Sequence, residues 1–285
     1  MKYTVIIIGV FIIGVIVGFA LSNVINSLAR EEERPVLKFF AGAAAEKPWR
    51  EIIEEFEKET GIKVEAYFSG SGKVLTVLEI TKDGDIFAPG SPDYMIKAIE
   101  DGVVDPNTVK IVAYLVPAII VPKGNPKNIT SLEDLAKPGV RIGIGDPETV
   151  CVGEYAVDLL KYNGLYDVVK DNIVVYAESC SKTAMLPATG AVDAIIGWHV
   201  FHYWYPDKTE IIWLKPEQIP KISYIPIGVT KFCKNIDLAL KFIEFVTTSE
   251  FAKEVFRKYH YFATIEEARE YAPYAEVPEI NATSG

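Results

Sequence analysis

The sequence predicts an α/β protein made of two doubly wound lobes joined by a hinge, preceded by an N-terminal transmembrane anchor or signal segment. Three observations lead there. Short apolar runs of strand length alternate with segments of helical periodicity along most of the chain. Loops of small residues fall where those strands end and helices begin. The opening residues differ in composition from everything that follows.

The alternation begins after a charged linker, residues 31–35. Val36 to Ala41 is a buried strand that runs into Gly42 and three alanines. Pro48 lies in the first turn of a helix whose Ile52, Ile53 and Phe56 recur at helical spacing, and Gly61 ends it. Ile62 to Phe68 is a second strand, Ser69-Gly70-Ser71-Gly72 a loop, and Asp85 to Ala88 a third strand. Ala113 to Val121 reads as one long β-branched run, and Ser131 as the cap of a short helix. Val140 to Ile144 opens into Gly145-Asp146-Pro147-Glu148 and a helix from about Val152. Strands at Ile173 to Tyr176, Ala194 to Ile196, Ile211 to Leu214 and Tyr224 to Thr230 follow. Ile236 to Phe256 is an amphipathic helix or helix pair.

This pattern divides the chain into residues 36–117 and 224–272 as one lobe and 118–223 as the other. Residues 273–285 show no periodicity and are expected to hang free. The chain then crosses between lobes twice, which makes a cleft.

From Val5 to Leu21 every residue is apolar or glycine, close to the roughly 20 residues that cross a bilayer core as a helix. Residues 1–30 are therefore read as an uncleaved anchor with Lys2 on the inner side; a cleaved signal peptide is the alternative. Either places the lobes outside the cytoplasm. A formal net charge of −10 argues against nucleic acid, which needs clustered Lys and Arg, but not against a small anion held by local backbone dipoles.

Three loops carry the chemistry: Ala41 to Ala45, Ser69 to Gly72, and Gly145 to Gly153. Small residues expose backbone N–H groups, and a helix N-terminus adds unpaired donors and partial positive charge, so several such loops facing one cleft suit an oxyanion. Nothing in the sequence suggests catalysis or a cofactor. No G-x-S-x-G surrounds a serine, and His199, His202 and His260 lack metal-ligand spacing with an acidic partner. The aromatic residues from Trp198 to Tyr205 suit packing. Cys151 and Cys180 both stand at helix starts near the cleft and can pair as a disulfide outside the cytoplasm; a metal site, a reactive thiol and plain buried thiols are the other readings. Cys233 reads as a core residue.

Phe39-Phe40-Ala41-Gly42-Ala43-Ala44, Tyr67-Phe68-Ser69-Gly70-Ser71, Gly145-Asp146-Pro147-Glu148 and Val192-Asp193-Ala194-Ile195-Ile196, in that order, resemble the periplasmic molybdate-binding proteins of ABC transporters. The resemblance runs from about 36 to 265. It implies the type II periplasmic-binding-protein fold and capture of molybdate or tungstate for an ABC permease by a monomer. In that family two serines, backbone amides of the third and fourth loops and a tyrosine hydroxyl hold the oxyanion. Ser71 falls on the second serine, and Ala44 falls on the first, so that hydroxyl is missing and Ser69 or water must substitute. Val152 matches the third-loop amide, Gly197 or Ile196 the fourth, and Tyr224 the tyrosine. Binding of sulfate or phosphate, a membrane-anchored sensory domain, and an enzyme of the porphobilinogen-deaminase type are the competing readings.

Overall fold

The computed structural model describes residues 35–280. The expected anchor, all of the linker but Pro35, and the last five residues lie outside the described part. Among the described residues no helix is long and apolar enough to cross a membrane.

Two five-stranded sheets form the two lobes. The first has the order β2-β1-β3-β10-β4, built from β1 (Val36–Gly42), β2 (Lys63–Ser69), β3 (Ile86–Ala88), β4 (Lys110–Leu115) and β10 (Ser223–Val229). The second has the order β7-β6-β8-β5-β9, built from β5 (Pro117–Pro122), β6 (Ile142–Gly145), β7 (Ile173–Ala177), β8 (Ala194–Trp198) and β9 (Thr209–Ile212). Helices α1 (Glu46–Thr60), α2 (Ser71–Thr81) and α3 (Pro92–Glu100) connect the strands of the first sheet. Helices α4 (Cys151–Tyr162), α5 (Tyr166–Val169), α6 (Cys180–Ala188) and α7 (Val200–Trp204) belong to the second.

Neither sheet is wholly parallel. β1 runs parallel to β2 and β3, while β10 runs against both β3 and β4. In the second sheet β6 is parallel to β7 and β8, and β5 runs against β8 and β9. The antiparallel members β5 and β10 are the strands that enter each lobe from the other. A strand arriving across the cleft runs opposite to strands whose carboxyl ends face the cleft.

The long apolar run at 113–121 is broken at Val116, where the chain passes from the first sheet to the second. Periodicity could not show that break, because both halves are buried and read as one hydrophobic stretch. The short helix expected after Ser131 is a 3-10 turn, Glu133–Ala136, preceded by Leu132 without a side-chain cap. Asp134 instead accepts from both the amide and the hydroxyl of Thr130. The C-terminal amphipathic stretch is a pair of helices, α8 (Ile236–Thr248) and α9 (Glu250–Lys258). Ser249 separates them in extended conformation and caps the second by accepting from the Ala252 amide at 3.1 Å.

The expectation that residues 273–285 hang free is overturned for 273–280. After α10 (Ile265–Arg269), Ala268, Ala272 and Ala275 are buried in the core of the second lobe. The Ile222 amide donates to the Glu276 carbonyl at 2.8 Å, and the Glu276 amide to the Pro220 carbonyl at 2.9 Å. The chain thus crosses between lobes a third time, near Tyr261 to Ile265. Residues 265–272 pack into the core of the second lobe, while Glu267 also accepts from Arg257 of α9 at 3.1 Å. Backbone pairing of this kind leaves no hydrophobic period to read.

Candidate functional site

The first loop of β1 sets one wall of the site. Gly42 ends the strand, and Ala43–Ala45 form a 3-10 turn leading into α1. A Cβ on Gly42 would lie 2.7 Å from the Gly90 amide nitrogen and 2.8 Å from Ser71 Oγ. Only glycine allows the three segments to approach this closely. Ser71 is the first residue of α2; its hydroxyl accepts from the Gly90 amide at 3.0 Å and is buried. That bond occupies a lone pair of the oxygen and leaves the hydroxyl proton free to donate. Ala44 is buried beside them, and its carbonyl accepts from the Tyr261 hydroxyl.

The opposite wall comes from the second lobe. Gly145 ends β6, and Cys151 and Val152 are the first two residues of α4. Gly153 is required there, because a Cβ would meet the Gly145 carbonyl oxygen at 2.1 Å. The Asp146 carboxylate accepts from the Glu148 amide at 2.9 Å, so it orients the loop. Cys180 opens α6, and the preceding Ser179 caps that helix by accepting from the Lys182 amide. A point 3.0 Å from Ala44 Cβ, the ideal Cβ position of Gly90, is also 3.0 Å from Cys151 Sγ. Ala44, Ser71, Gly90 and Cys151 therefore meet at one buried junction between lobes. The amino ends of α2, α4 and α6 converge on it, with the unpaired amides and partial positive charge of such ends.

The lobes are in contact across this junction. The Gly72 amide donates to the Thr149 carbonyl at 3.2 Å, and the Tyr94 hydroxyl donates to the Glu148 carbonyl at 3.2 Å. The apolar core of the first lobe continues through Val150, Cys151, Val152 and Tyr155 of the second. Outside the junction a groove of about 800 Å³ opens between the lobes, lined by Gly72, Tyr94 and Thr149 at its inner edge. Its carboxylates, Glu79, Asp93, Glu148, Glu154 and Glu178, outnumber Lys73 and Lys97. Glu154 is pushed up to about 7, chiefly by loss of solvent and then by Asp93 and Asp158. An anion is favoured at the helix ends and disfavoured in this acidic mouth.

The residues expected from sequence separate into two groups. Ala44 and Ser71 are brought together with Cys151 at the junction, and Val152 follows Cys151 in the first turn of α4, where its amide faces the Cys180 sulfur. Cys151 and Cys180 are both buried, with their thiols in contact but not bonded as a disulfide. Ser69 is half-buried at the end of β2, where it pairs with Gly42. Gly197 and Ile196 lie within β8 opposite Ala118 and Ile119. A side chain at Gly197 would strike the Phe201 ring at 2.7 Å, so packing alone accounts for that glycine. The Tyr224 hydroxyl donates to the Pro278 carbonyl at 2.6 Å and so has a partner outside the junction. Its neighbour Ser223 lies beside the hydroxyl of Tyr155.

Tyr155 is a residue that sequence reasoning did not place in the site. It stands one helical turn after Cys151, is buried, and packs edge-on to Trp198 at 4.9 Å. Asp93 also lies beside its hydroxyl, yet neither Asp93 nor Ser223 meets it in a hydrogen bond of normal geometry. Ser91 Oγ and Ser223 Oγ are likewise buried without partners. The i, i+4 spacing of Cys151 and Tyr155 was the available signal. The histidines do structural work: His199 is buried between Val116 and the His260 carbonyl. Among the described residues no group of acidic, His and Cys side chains has the makings of a metal centre.

Two lobes with strand ends and helix starts facing a shared junction define a ligand-capturing protein of the periplasmic-binding-protein fold. More narrowly, residues 37–262 match the family described as bacterial extracellular solute-binding protein, and the chain belongs to that family. It is 31% identical over 176 residues to a Haemophilus influenzae protein provisionally named a binding protein, spanning 62% of this chain and 71% of that one. It is 25% identical over 165 residues to the molybdate-binding protein ModA of Escherichia coli, spanning 56% and 62% of the two chains. The sulfate-binding protein SubI of Mycobacterium tuberculosis superposes with a TM-score of 0.72 over 86% of this chain and 93% of that one, at 17% identity, which speaks to fold alone. The family is one of substrate-binding proteins of ABC transporter type rather than enzymes.

Proposed function

We propose that the protein captures a tetrahedral oxyanion, molybdate or tungstate, between its lobes and presents it to an ABC permease from the outer face of the membrane, held there by residues 1–30. The observation that carries this reading is the convergence of the amino ends of α2, α4 and α6 on Ser71 and Ala44. Such ends bind anions without Lys or Arg, which suits a chain as acidic as this one. The kinship with ModA of Escherichia coli favours molybdate over other anions of the same shape. Ser71 donates its free hydroxyl proton, and the amides of Ala44, Val152 and the start of α6 complete the shell. Tyr155 takes the role that the resemblance gave to Tyr224. Gly197 and Ile196 shape the wall rather than donate. Ligand shifts the lobe equilibrium toward closure only as far as it prefers the closed form.

Thermal unfolding of the full-length protein against molybdate, tungstate, sulfate and phosphate tests the reading. A ligand at about 100 times its dissociation constant adds about 2.7 kcal/mol of stability. Stabilisation by molybdate and tungstate alone is the expected result. Stabilisation by sulfate or phosphate alone keeps the binding role and replaces the ligand, and no response to any of the four sinks the oxyanion reading.

A further inference from the structure

Cys151 and Cys180 are the first residues of two helices of the same lobe, and both are buried with their sulfurs in contact and unbridged. Their position is not that of ordinary core thiols. Cys151 Sγ and the methyl group of Ala44 both close on Gly90, each 3.0 Å from where a Cβ there would lie, and Ser71 Oγ is 3.6 Å from the same point. Cys180 Sγ faces the Val152 amide. Ser91, adjacent to Gly90, adds a fully buried hydroxyl with no partner. The dithiol thus stands beside the free hydroxyl proton of Ser71.

We propose that this dithiol ligates the central atom of the bound oxyanion, so that the site selects oxyanions of thiophilic metals. The inference rests on the oxyanion reading above and deepens it. Hexavalent molybdenum and tungsten accept thiolate ligands, whereas the central atoms of sulfate and phosphate do not exchange oxygen for sulfur under mild conditions. In the step itself both thiol protons move to one oxo group of the anion. That metal–oxygen bond breaks, the oxygen leaves as water, and two metal–sulfur bonds form. The metal stays hexavalent, the anion keeps its double negative charge, and no oxidant or reductant is consumed. The step starts from the two protonated thiols. The helix ends stabilise the charge that remains on the product.

The full-length protein, purified anaerobically, is first denatured and titrated for thiols, with three expected from Cys151, Cys180 and Cys233. A count of one means a disulfide and overturns the proposal. Molybdate is then added to the native protein. The expected result is a new sulfur-to-metal charge-transfer band in the near ultraviolet and a sulfur shell around molybdenum in X-ray absorption, neither appearing with sulfate or phosphate. The double variant Cys151→Ser, Cys180→Ser abolishes the band and weakens molybdate binding by about tenfold. Stabilisation by molybdate with no band and an all-oxygen shell overturns thiol ligation and leaves the oxyanion reading standing. Absence of any molybdate or tungstate binding removes both. The spectra of the native protein decide the matter even if the double variant does not fold.

Discussion

Ser71 Oγ accepts the Gly90 amide proton at 3.0 Å, and this bond fixes which way the serine can act. The hydroxyl has one proton, and it is not used by any neighbour. On the proposed oxyanion reading, an anion at the junction receives it as a charge-assisted bond. Ser71→Ala should weaken oxyanion binding by about 1–2 kcal/mol, roughly five- to thirtyfold, and should also cost the ligand-free protein about 1–3 kcal/mol, because the buried Gly90 amide loses its acceptor. Calorimetric titration checks it. Unchanged affinity would remove Ser71 from the site.

Gly42 makes that arrangement sterically feasible. Its φ of −64° is open to any residue, so the requirement is space rather than backbone freedom. Gly42→Ala places a methyl against the Gly90 nitrogen and Ser71 Oγ, and the backbone nitrogen cannot rotate away. The expected outcome is a loss of about 1–3 kcal/mol in stability and a larger relative loss in ligand affinity, because both walls of the loop move. A variant as stable and as tight as the native protein would show that the junction is looser than described.

Much of this arrangement was legible in the sequence. The small-residue loops after β1 and β2, and the Gly145–Gly153 loop after β6, were visible as turns between strand ends and helix starts. Strand and helix order followed from apolar spacing. The break at Val116 was hidden, because a strand leaving one core and a strand entering another are equally apolar. The seat of Glu276 against Pro220 and Ile222 was hidden too, since it depends on backbone groups that every residue carries. Tyr155 was missed because its importance comes from lying beside Asp93 and Ser223, which are distant in sequence and meet only when the lobes do.

Tyr224 tests where resemblance and geometry part. Its hydroxyl donates to the Pro278 carbonyl and ties the C-terminal segment to β10. Tyr224→Phe should cost about 1 kcal/mol of stability and leave ligand affinity within about twofold. Tyr155→Phe should do the reverse, lowering affinity with little loss of stability, since the Tyr155 hydroxyl has no hydrogen bond of normal geometry to lose. Thermal unfolding and calorimetry on both variants separate the two tyrosines. A tenfold affinity loss in Tyr224→Phe would restore it to the site.

His199 makes stability depend on pH through the hinge. Its Nε2 lies 2.8 Å from the His260 carbonyl, which can only accept, so Nε2 carries the proton. Nδ1 lies 3.3 Å from the Val116 amide and acts as the acceptor there. The ring stacks on Phe262 at 4.4 Å, so it links both lobes to the third crossing. Burial holds its pKa down to about 4, against 6.5 when unfolded. The unfolded chain therefore binds the proton more readily. The stability contributed by neutral His199 is complete above about pH 6.5 and is lost as pH falls toward about 4, by up to about 3 kcal/mol. Glu154 acts in the opposite sense: with its pKa raised to about 7, it costs stability as pH climbs from about 4.5 to 7. Glu154→Gln should steepen the net rise of stability between pH 4.5 and 6.5, and His199→Gln should flatten it. Denaturant midpoints measured across that range for both variants provide the check. Parallel curves for the native protein and His199→Gln would mean that His199 titrates alike in the folded and unfolded chains, and that the hinge is not what acid loosens first.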